Sequence, residues 1–400
     1  MVASFRKVLS NFGFLSLWFG QLNSQLADRV FVYVLMILAY NLTHTNLGVA
    51  VPLLAFGIPS VLFGPLAGVF VDKWDRKAIL IITSIIRGLL ILLIIPLINE
   101  SMVLIFAISF LLYTATQFFA PAESSSIPEL VNKDDLIVAN SLFMITWMGA
   151  SVIGFGLGAP LVNLFGNQGT FVAAALLYFV AAIVIALVPL KPLKKETKEK
   201  DHPILKDLFF GLEFVRHHQI VRYSLYKLFV ATAAIAIVSL LAISYAEEVL
   251  NIGQQNFGYL IFAVGGGMFL GMGLLERLRK VMKKGTIVIV SFVVSGLSLV
   301  AIGQINDLYW ALFFIFLLGV GNIFITSSIQ TILQQHIPRQ IRGRVFGIQN
   351  MLISSAFVFP VILAGWLADI YGIQATMGGV GWIVLVAGGM GIFFKKFRAV

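Results

Sequence analysis

Gly64–Leu80 reads GPLAGVFVDKWDRKAIL: an apolar run that stops at Val71, a short polar loop holding Asp72, Lys73, Asp75, Arg76 and Lys77, and a second apolar run from Ala78. Each run is about 20 residues or longer without alternation, the length at which a helix crosses the hydrocarbon core of a bilayer. Lipid leaves backbone polar groups unsatisfied, so such runs form helices rather than open strands. The same arrangement recurs outward in both directions. Lys and Arg fall at Arg6 and Lys7, at Lys73, Arg76 and Lys77, at Lys133, from Lys191 to Lys227, from Arg277 to Lys284, from Arg339 to Arg344, and from Lys395 to Arg398, while the intervening connections carry none. Cationic loops are retained on the cytoplasmic side, so the alternation predicts twelve crossings with both termini inside. Arg29 and Arg87 break the pattern, and both lie within spans.

Composition points the same way: 59% of the 400 residues are hydrophobic, 12% are charged, and mean hydropathy is +0.97, values that place the chain among membrane proteins. The net charge of +10 is spread over separate loops rather than gathered in one patch, which argues against a nucleic-acid partner. The chain has no cysteine, so disulfides, thiolate chemistry and cysteine metal sites are excluded. The first apolar run begins near Phe12, passes Leu35 and lacks a small-residue cleavage site, and is expected to be a retained span. Spans are expected at about 12–40, 46–71, 78–98, 101–122, 136–164, 169–190, 222–246, 254–275, 285–304, 307–329, 345–370 and 376–394. They group as a bundle over 1–190, a cytoplasmic linker with an amphipathic helix over 191–221, and a bundle over 222–400.

The two bundles carry a repeat. Leu161, Phe165, Gly166, Gln168 and Thr170 answer to Leu367, Tyr371, Gly372, Gln374 and Thr376. Ile127 and Pro128 precede Asn140 at the spacing by which Ile337 and Pro338 precede Asn350. Duplication of six spans predicts an all-α membrane protein of twelve transmembrane helices in two pseudo-symmetric six-helix bundles. Parallel repeats of this kind suit alternating access around a central site.

The loop quoted first resembles the signature loop of the major facilitator superfamily, with Gly68, Asp72, Arg76 and Lys77 on its matching positions. Gly68 lies one helical turn before Asp72, so a neighbouring helix can come close enough to offer the carboxylate its positive end or a cation. The resemblance implies a latch that holds the cytoplasmic side closed. Asp75 stands where the family usually has Gly, and Lys73 where it usually has Arg. This variant, with FFAPAESSSIPELVNKDDLIVANSL and IPRQIRGRVFGIQNML, resembles the branch of macrolide-efflux and siderophore-export proteins. GMGLLERLRKVMKKG looks like a degenerate second copy, with Glu276 in the acidic place and Arg277, Arg279 and Lys280 after it. The fifth span, with Gly149, Gly154, Gly156, Gly158 and Pro160, partly resembles the glycine and proline motif of drug antiporters, although Ala159 separates the last glycine from the proline. Gly154 and Gly158 permit close helix contact, and Pro160 invites a bend.

Polar residues at membrane depth are the candidates for chemistry. An ionisable side chain there costs roughly 2.5 to 3.5 kcal/mol on insertion scales and normally faces a partner or a wet cavity. Asp28, Arg29 and Arg87 are the coupling candidates. Asp28 is read either as the proton or cation carrier or as one end of a structural ion pair with Arg29, Arg87 or another cation. Gln21, Gln25 and Asp28 share one helix face by spacing. The resemblance implies that the first, fourth, seventh and tenth spans line the cleft, which nominates Gln21, Gln25, Tyr113, Gln117, Tyr226, Asn322 and Thr326 as substrate-cavity residues, with Glu123 near the inner end of the fourth. Aromatic rings with scattered hydroxyls and amides suit an amphipathic organic solute. Phosphate-ester exchange would need several convergent cations, and only Arg29 and Arg87 lie at depth.

The expected function is secondary active export of hydrophobic or amphipathic organic compounds such as drugs against protons; a lysophospholipid or other lipid-like cargo carrier is the alternative. One inward proton supplies roughly 2.3 kcal/mol per 100 mV and about 1.4 kcal/mol per pH unit. The partners implied are a small organic solute, protons and membrane lipids, with the protein a monomer. No cofactor or metal is expected: a nucleotide-binding Gly-rich loop ending in Lys-Ser or Lys-Thr does not occur. All five histidines, His44, His202, His217, His218 and His336, fall in expected loops, so a membrane-embedded enzyme lacks its base or metal cluster.

Overall fold

The computed structural model describes residues 7–71, 74–97, 101–132, 135–190, 204–338 and 341–398, and among these there is no strand. Helices run over α1 (Phe12–Thr43), α2 (Asn46–Val71), α3 (Arg76–Ile94), α4 (Met102–Leu130), α5 (Leu136–Ala186), α6 (Ile204–His217), α7 (Gln219–Ser244), α8 (Gly258–Leu278), α9 (Lys284–Ile302), α10 (Leu308–His336), α11 (Arg342–Ala356), α12 (Phe359–Tyr371) and α13 (Ile373–Phe393). Eleven stretches among the described residues are long and apolar enough to cross a membrane. One of them, 49 residues from Val138 to Ala186, would span about 70 Å if straight, more than twice a bilayer core. It turns back at Gly166, whose φ of 67° and ψ of −178° are not helical. The eleven stretches therefore make twelve crossings, in the all-helical architecture the charge pattern predicts.

The repeat is visible in backbone conformation as well as in letters. Gly372, the counterpart of Gly166, separates α12 from α13 with φ 85° and ψ 160°. Side chains are rarely tolerated in that region. The following turn is closed alike in both halves: the Thr170 hydroxyl donates to the Gly166 carbonyl at 2.7 Å, and that of Thr376 to the Gly372 carbonyl at 2.9 Å. In the second half the Gly372 carbonyl accepts the Thr376 backbone N–H at 3.2 Å as well, so the hydroxyl reinforces the first turn of α13.

Chain contacts divide the molecule into two compact units, Met1–Leu42 with Ala55–Lys198, and Thr43–Leu54 with Glu199–Val400. The first unit holds clusters around Phe31, Leu35, Ile91, Phe171 and Tyr178 and around Phe14, Leu80, Phe119 and Ile185. Lipid tails are as apolar as these side chains, so association rests on close fit. In the second unit α8 and α10 meet backbone to backbone: a Cβ on Gly267 would strike the Phe316 carbonyl, and one on Gly319 the Val264 carbonyl. The second unit also contains the start of α2, where the Asp369 carboxylate accepts from the Asn46 backbone N–H at 2.7 Å, the Asn46 side-chain amide at 2.9 Å and the Leu47 N–H at 3.1 Å. That carboxylate caps the positive end of a helix. In the linker, 191–203 lie outside the described residues; beyond them α6 packs along α11, with the Arg344 guanidinium 5.1 Å from the Phe210 ring centre.

Three sequence expectations need correction. The fourth and tenth helices run on to Leu130 and His336, past the expected ends at 122 and 329. Hydropathy falls there, but the helix needs only backbone hydrogen bonds. His336 is accordingly in the last turn of α10 and His217 in that of α6, rather than in loops. The span expected over 345–370 stands as one stretch, Arg342–Tyr371, interrupted at Phe357 and Val358: Pro360, near the start of α12, has no N–H to continue the ladder. Lys227, counted among the cytoplasmic cations, lies two turns inside α7 with no solvent exposure.

Candidate functional site

Helix α1 buries part of its polar set in the first unit. Gln21 is buried and its amide lies 3.5 Å from the Phe143 carbonyl, the Asn23 amide donates to the Phe19 carbonyl of its own helix, and Gln25 is half-buried. Asp28 is the centre of the arrangement. The Tyr178 hydroxyl, from α5, donates to Asp28 Oδ1, and Arg87 Nη1, from α3, lies 3.8 Å from Asp28 Oδ2. That separation makes an ion pair but not a hydrogen bond.

Arg87 has no solvent exposure. Its Nε donates to the Thr83 carbonyl at 3.2 Å and its Nη2 to the Ser84 hydroxyl at 3.4 Å. The Phe119 and Tyr178 ring centres lie 4.4 and 4.5 Å from its guanidinium carbon, a favourable cation–π geometry for a desolvated cation. Arg29 turns elsewhere, 5.9 Å from the Trp147 ring centre. Of the two sequence-named cations, the structure brings Arg87 to Asp28 and not Arg29. Spacing along α1 made Arg29 the nearer residue in sequence, but successive residues on a helix point about 100° apart.

The cavity candidates are dispersed. Tyr113 is buried in the first unit against Phe31 and Phe56, and the Gln117 amide donates to the Tyr113 carbonyl at 3.2 Å. In the second unit Tyr226 is 45% exposed, while Asn322 is buried beside Ser295 and Phe292 at a water-sized pocket among α7, α9, α10 and α13. The Thr326 hydroxyl donates back to the Asn322 carbonyl at 2.9 Å.

In the signature loop, Asp72 and Lys73 lie outside the described residues, and Gly68 lies in the last turns of α2. Asp75, the departure from the family pattern, has a local role: it is the N-cap of α3 and accepts from the backbone N–H of Lys77 at 2.8 Å and of Ala78 at 3.3 Å. Arg76 pairs with Glu129 and donates to the Ser125 carbonyl at 3.0 Å, both on α4. Lys77 is half-buried. In the degenerate copy Arg279 makes the matching reach, to the hydroxyls of Ser327 at 2.9 Å and Thr331 at 3.4 Å on α10.

Gly154 and Gly158 face α1: a Cβ on the first would meet the Arg29 side chain, and one on the second the Tyr33 ring. Pro160 lies within the same helix before the Gly166 turn.

A family model described as Major Facilitator Superfamily matches residues 17–360. The chain belongs to the major facilitator superfamily. It is a multi-pass membrane transporter, not an enzyme. This facilitator is 22% identical over 392 residues to an uncharacterized MFS-type transporter, YfiS of Bacillus subtilis, covering 96% of the chain and 93% of the relative. It is 22% identical over 370 residues to macrolide efflux protein A of Streptococcus pyogenes, covering 90% of each. Among solved structures it is similar in fold to the nucleoside transporter NupG, with a TM-score of 0.80, 13% identity and coverage of 96% of this chain and 99% of that one.

Two participants escaped sequence reading. Tyr178 sits in an apolar run where a tyrosine is unremarked, and no motif links it to Asp28 across 150 residues. Lys227 was hidden by its nearness to the linker cations. In the structure its ammonium donates to the Ala387 carbonyl and lies 5.0 and 4.4 Å from the Tyr223 and Phe292 ring centres. A lysine eight residues inside a strongly apolar helix was the signal available for it.

Proposed function

We propose that this facilitator is a proton-driven exporter of hydrophobic or amphipathic organic compounds, working by alternating access in the cytoplasmic membrane with both termini inside. The observation that carries the reading is the Asp28–Arg87 pair with Tyr178, its cation fully buried and its acid partly so. A charged pair inside a transmembrane bundle costs more to desolvate than packing needs, and a change in its protonation changes how helices α1, α3 and α5 attract one another. The similarity to macrolide efflux protein A supports export of bulky organic solutes. Gln21, Gln25, Tyr113, Gln117, Tyr226, Asn322 and Thr326 are proposed to meet the solute during the cycle. Gly68, Asp72, Arg76 and Lys77 are proposed as the inner latch, and the Arg76–Glu129 contact supports an anchored inner end of α3.

The test is transport in proteoliposomes under an imposed pH gradient, using ethidium and a macrolide as probes alongside a fluorescent lysophospholipid. Uphill ethidium or macrolide movement that collapses with the gradient supports the reading, and Asp28→Asn is expected to abolish it while the protein remains in the membrane. Movement of the lipid probe alone favours the lipid-like cargo reading. Transport of the drug probes that ignores the pH gradient overturns proton coupling.

A further inference from the structure

Arg87 is one cation near two acids, Asp28 partly buried and Glu123 buried. Asp28 holds it at 3.8 Å. The second acid is Glu123, on α4 one turn beyond Phe119, and within Coulombic range of both Arg87 and Asp28. Glu123 is 7% exposed. Its Oε1 is shut off from solvent and has no hydrogen-bond partner among the described residues. Arg87 Nη1 is likewise buried without a hydrogen bond. The charged groups that act on Glu123 are Arg87 from α3 and Asp28 from α1; Tyr178 from α5 and Tyr113, earlier on α4, lie near Asp28 in turn, with Arg29 near Tyr113.

The charges do not balance if both acids are ionised: one guanidinium without solvent exposure then faces two carboxylates, one partly buried and one buried. The two acids are not equivalent. Asp28 has a guanidinium at 3.8 Å and accepts a hydrogen bond from Tyr178. Glu123 has no cation within 4.0 Å among the described residues, and a buried carboxylate oxygen without a donor, as at Oε1, is costly. A protonated carboxyl at Glu123 relieves the excess charge and leaves Arg87 on Asp28. Loss of that proton draws the guanidinium away from Asp28 toward α4.

We infer that Glu123 is the group that takes up and releases the transported proton, with Asp28 the acid paired to Arg87 and Arg87 the cation that shifts between them. The inference rests on the proton-coupled reading above and assigns the proton within it. Deprotonation then pulls α3 from α1 toward α4, and a shift between helices inside one bundle is the movement that an exporter must link to solute release.

Infrared difference spectroscopy of the purified protein in lipid reads the proton directly, without a solute. In the wild type, raising the pH should remove a carbonyl band from a buried protonated carboxyl. Glu123→Gln should lose that band, while the double variant Asp28→Asn with Arg87→Gln should retain it, because Glu123 is then an isolated buried acid. Glu123→Asp should restore a shifted band, which separates proton carriage from misfolding. Persistence of the wild-type band in Glu123→Gln overturns the assignment, as does the absence of any titrating carboxyl band in the wild type. In proteoliposomes, ethidium transport by Glu123→Gln should no longer respond to the pH gradient. A wild-type response kept intact in Glu123→Gln sinks the inference and leaves proton coupling standing, whereas no wild-type response sinks both.

Discussion

Replacing Asp28 by Asn keeps the side-chain volume and an acceptor for the Tyr178 hydroxyl, and removes the charge that faces Arg87. At 3.8 Å, with the effective dielectric of about 20 that suits protein sites, the attraction between unit charges is roughly 4 kcal/mol. Arg87 has no solvent exposure, so water does not take over from the lost carboxylate. The bonds to Thr83 and Ser84 and the rings of Phe119 and Tyr178 are already present, so they add nothing new. Removing one partner of a buried pair generally costs about 3–5 kcal/mol, in line with the distance-based figure. Glu123 is the remaining acid in range and offsets part of the loss. Asp28→Asn is therefore expected to lower unfolding free energy by about 2–4 kcal/mol. Arg87→Met should also destabilise, because it strands the Asp28 carboxylate. The double variant should be more stable than Asp28→Asn alone. Equilibrium unfolding in mixed micelles, followed by circular dichroism across the four proteins of the cycle, measures the coupling. An Asp28→Asn variant within about 0.5 kcal/mol of the wild type, with additive effects in the cycle, would refute the pair as an energetic unit.

Gly166→Ala and Gly372→Ala each force a side chain into a backbone region at positive φ and should each cost on the order of 1–3 kcal/mol, read as paired drops in melting temperature; a neutral Gly372→Ala beside a damaging Gly166→Ala would break the conformational repeat. Gly154→Ala drives a methyl into Arg29 Cβ, and overpacking of that kind should cost about 1–3 kcal/mol in the same melting assay. Glu129→Gln should cost less than about 1 kcal/mol, because the Glu129 side chain in its pair with Arg76 is 37% exposed and solvent screens it; a loss as large as that of Asp28→Asn would contradict the contrast drawn between the two pairs.

The number of crossings and the repeat were legible because each rests on a property that adds up along the chain. Hydropathy over about 20 residues decides whether a segment can enter lipid, and cations on alternate loops decide which way it crosses. The pairing of Gly166 with Gly372 was readable as letters, and it reappears as matched backbone angles and matched threonine bonds. Helix ends were less legible. A polar tail such as AESSSIPEL lowers hydropathy without interrupting the backbone ladder, so α4 outruns its apolar run. Asp28 and Arg87 were visible as costly residues at depth, yet the sequence left open whether Asp28 meets Arg29, Arg87 or another cation. Tyr178 and Phe119 carried no pattern that links them to this pair, and Lys227 showed only as a cation set inside an apolar helix.

From its residues alone this chain is bound to be a helical, twelve-crossing membrane protein with a duplicated half, since lipid forbids unpaired backbone and sorts segments by summed apolarity. Which charge meets which was decided only by the tertiary structure. Asp28 chose Arg87 on α3 over its neighbour Arg29, and Lys227 left the loop cations for the interior of the second unit. Partner choice depends on which helices lie side by side and how each is rotated about its axis, and neither quantity is a sum over sequence.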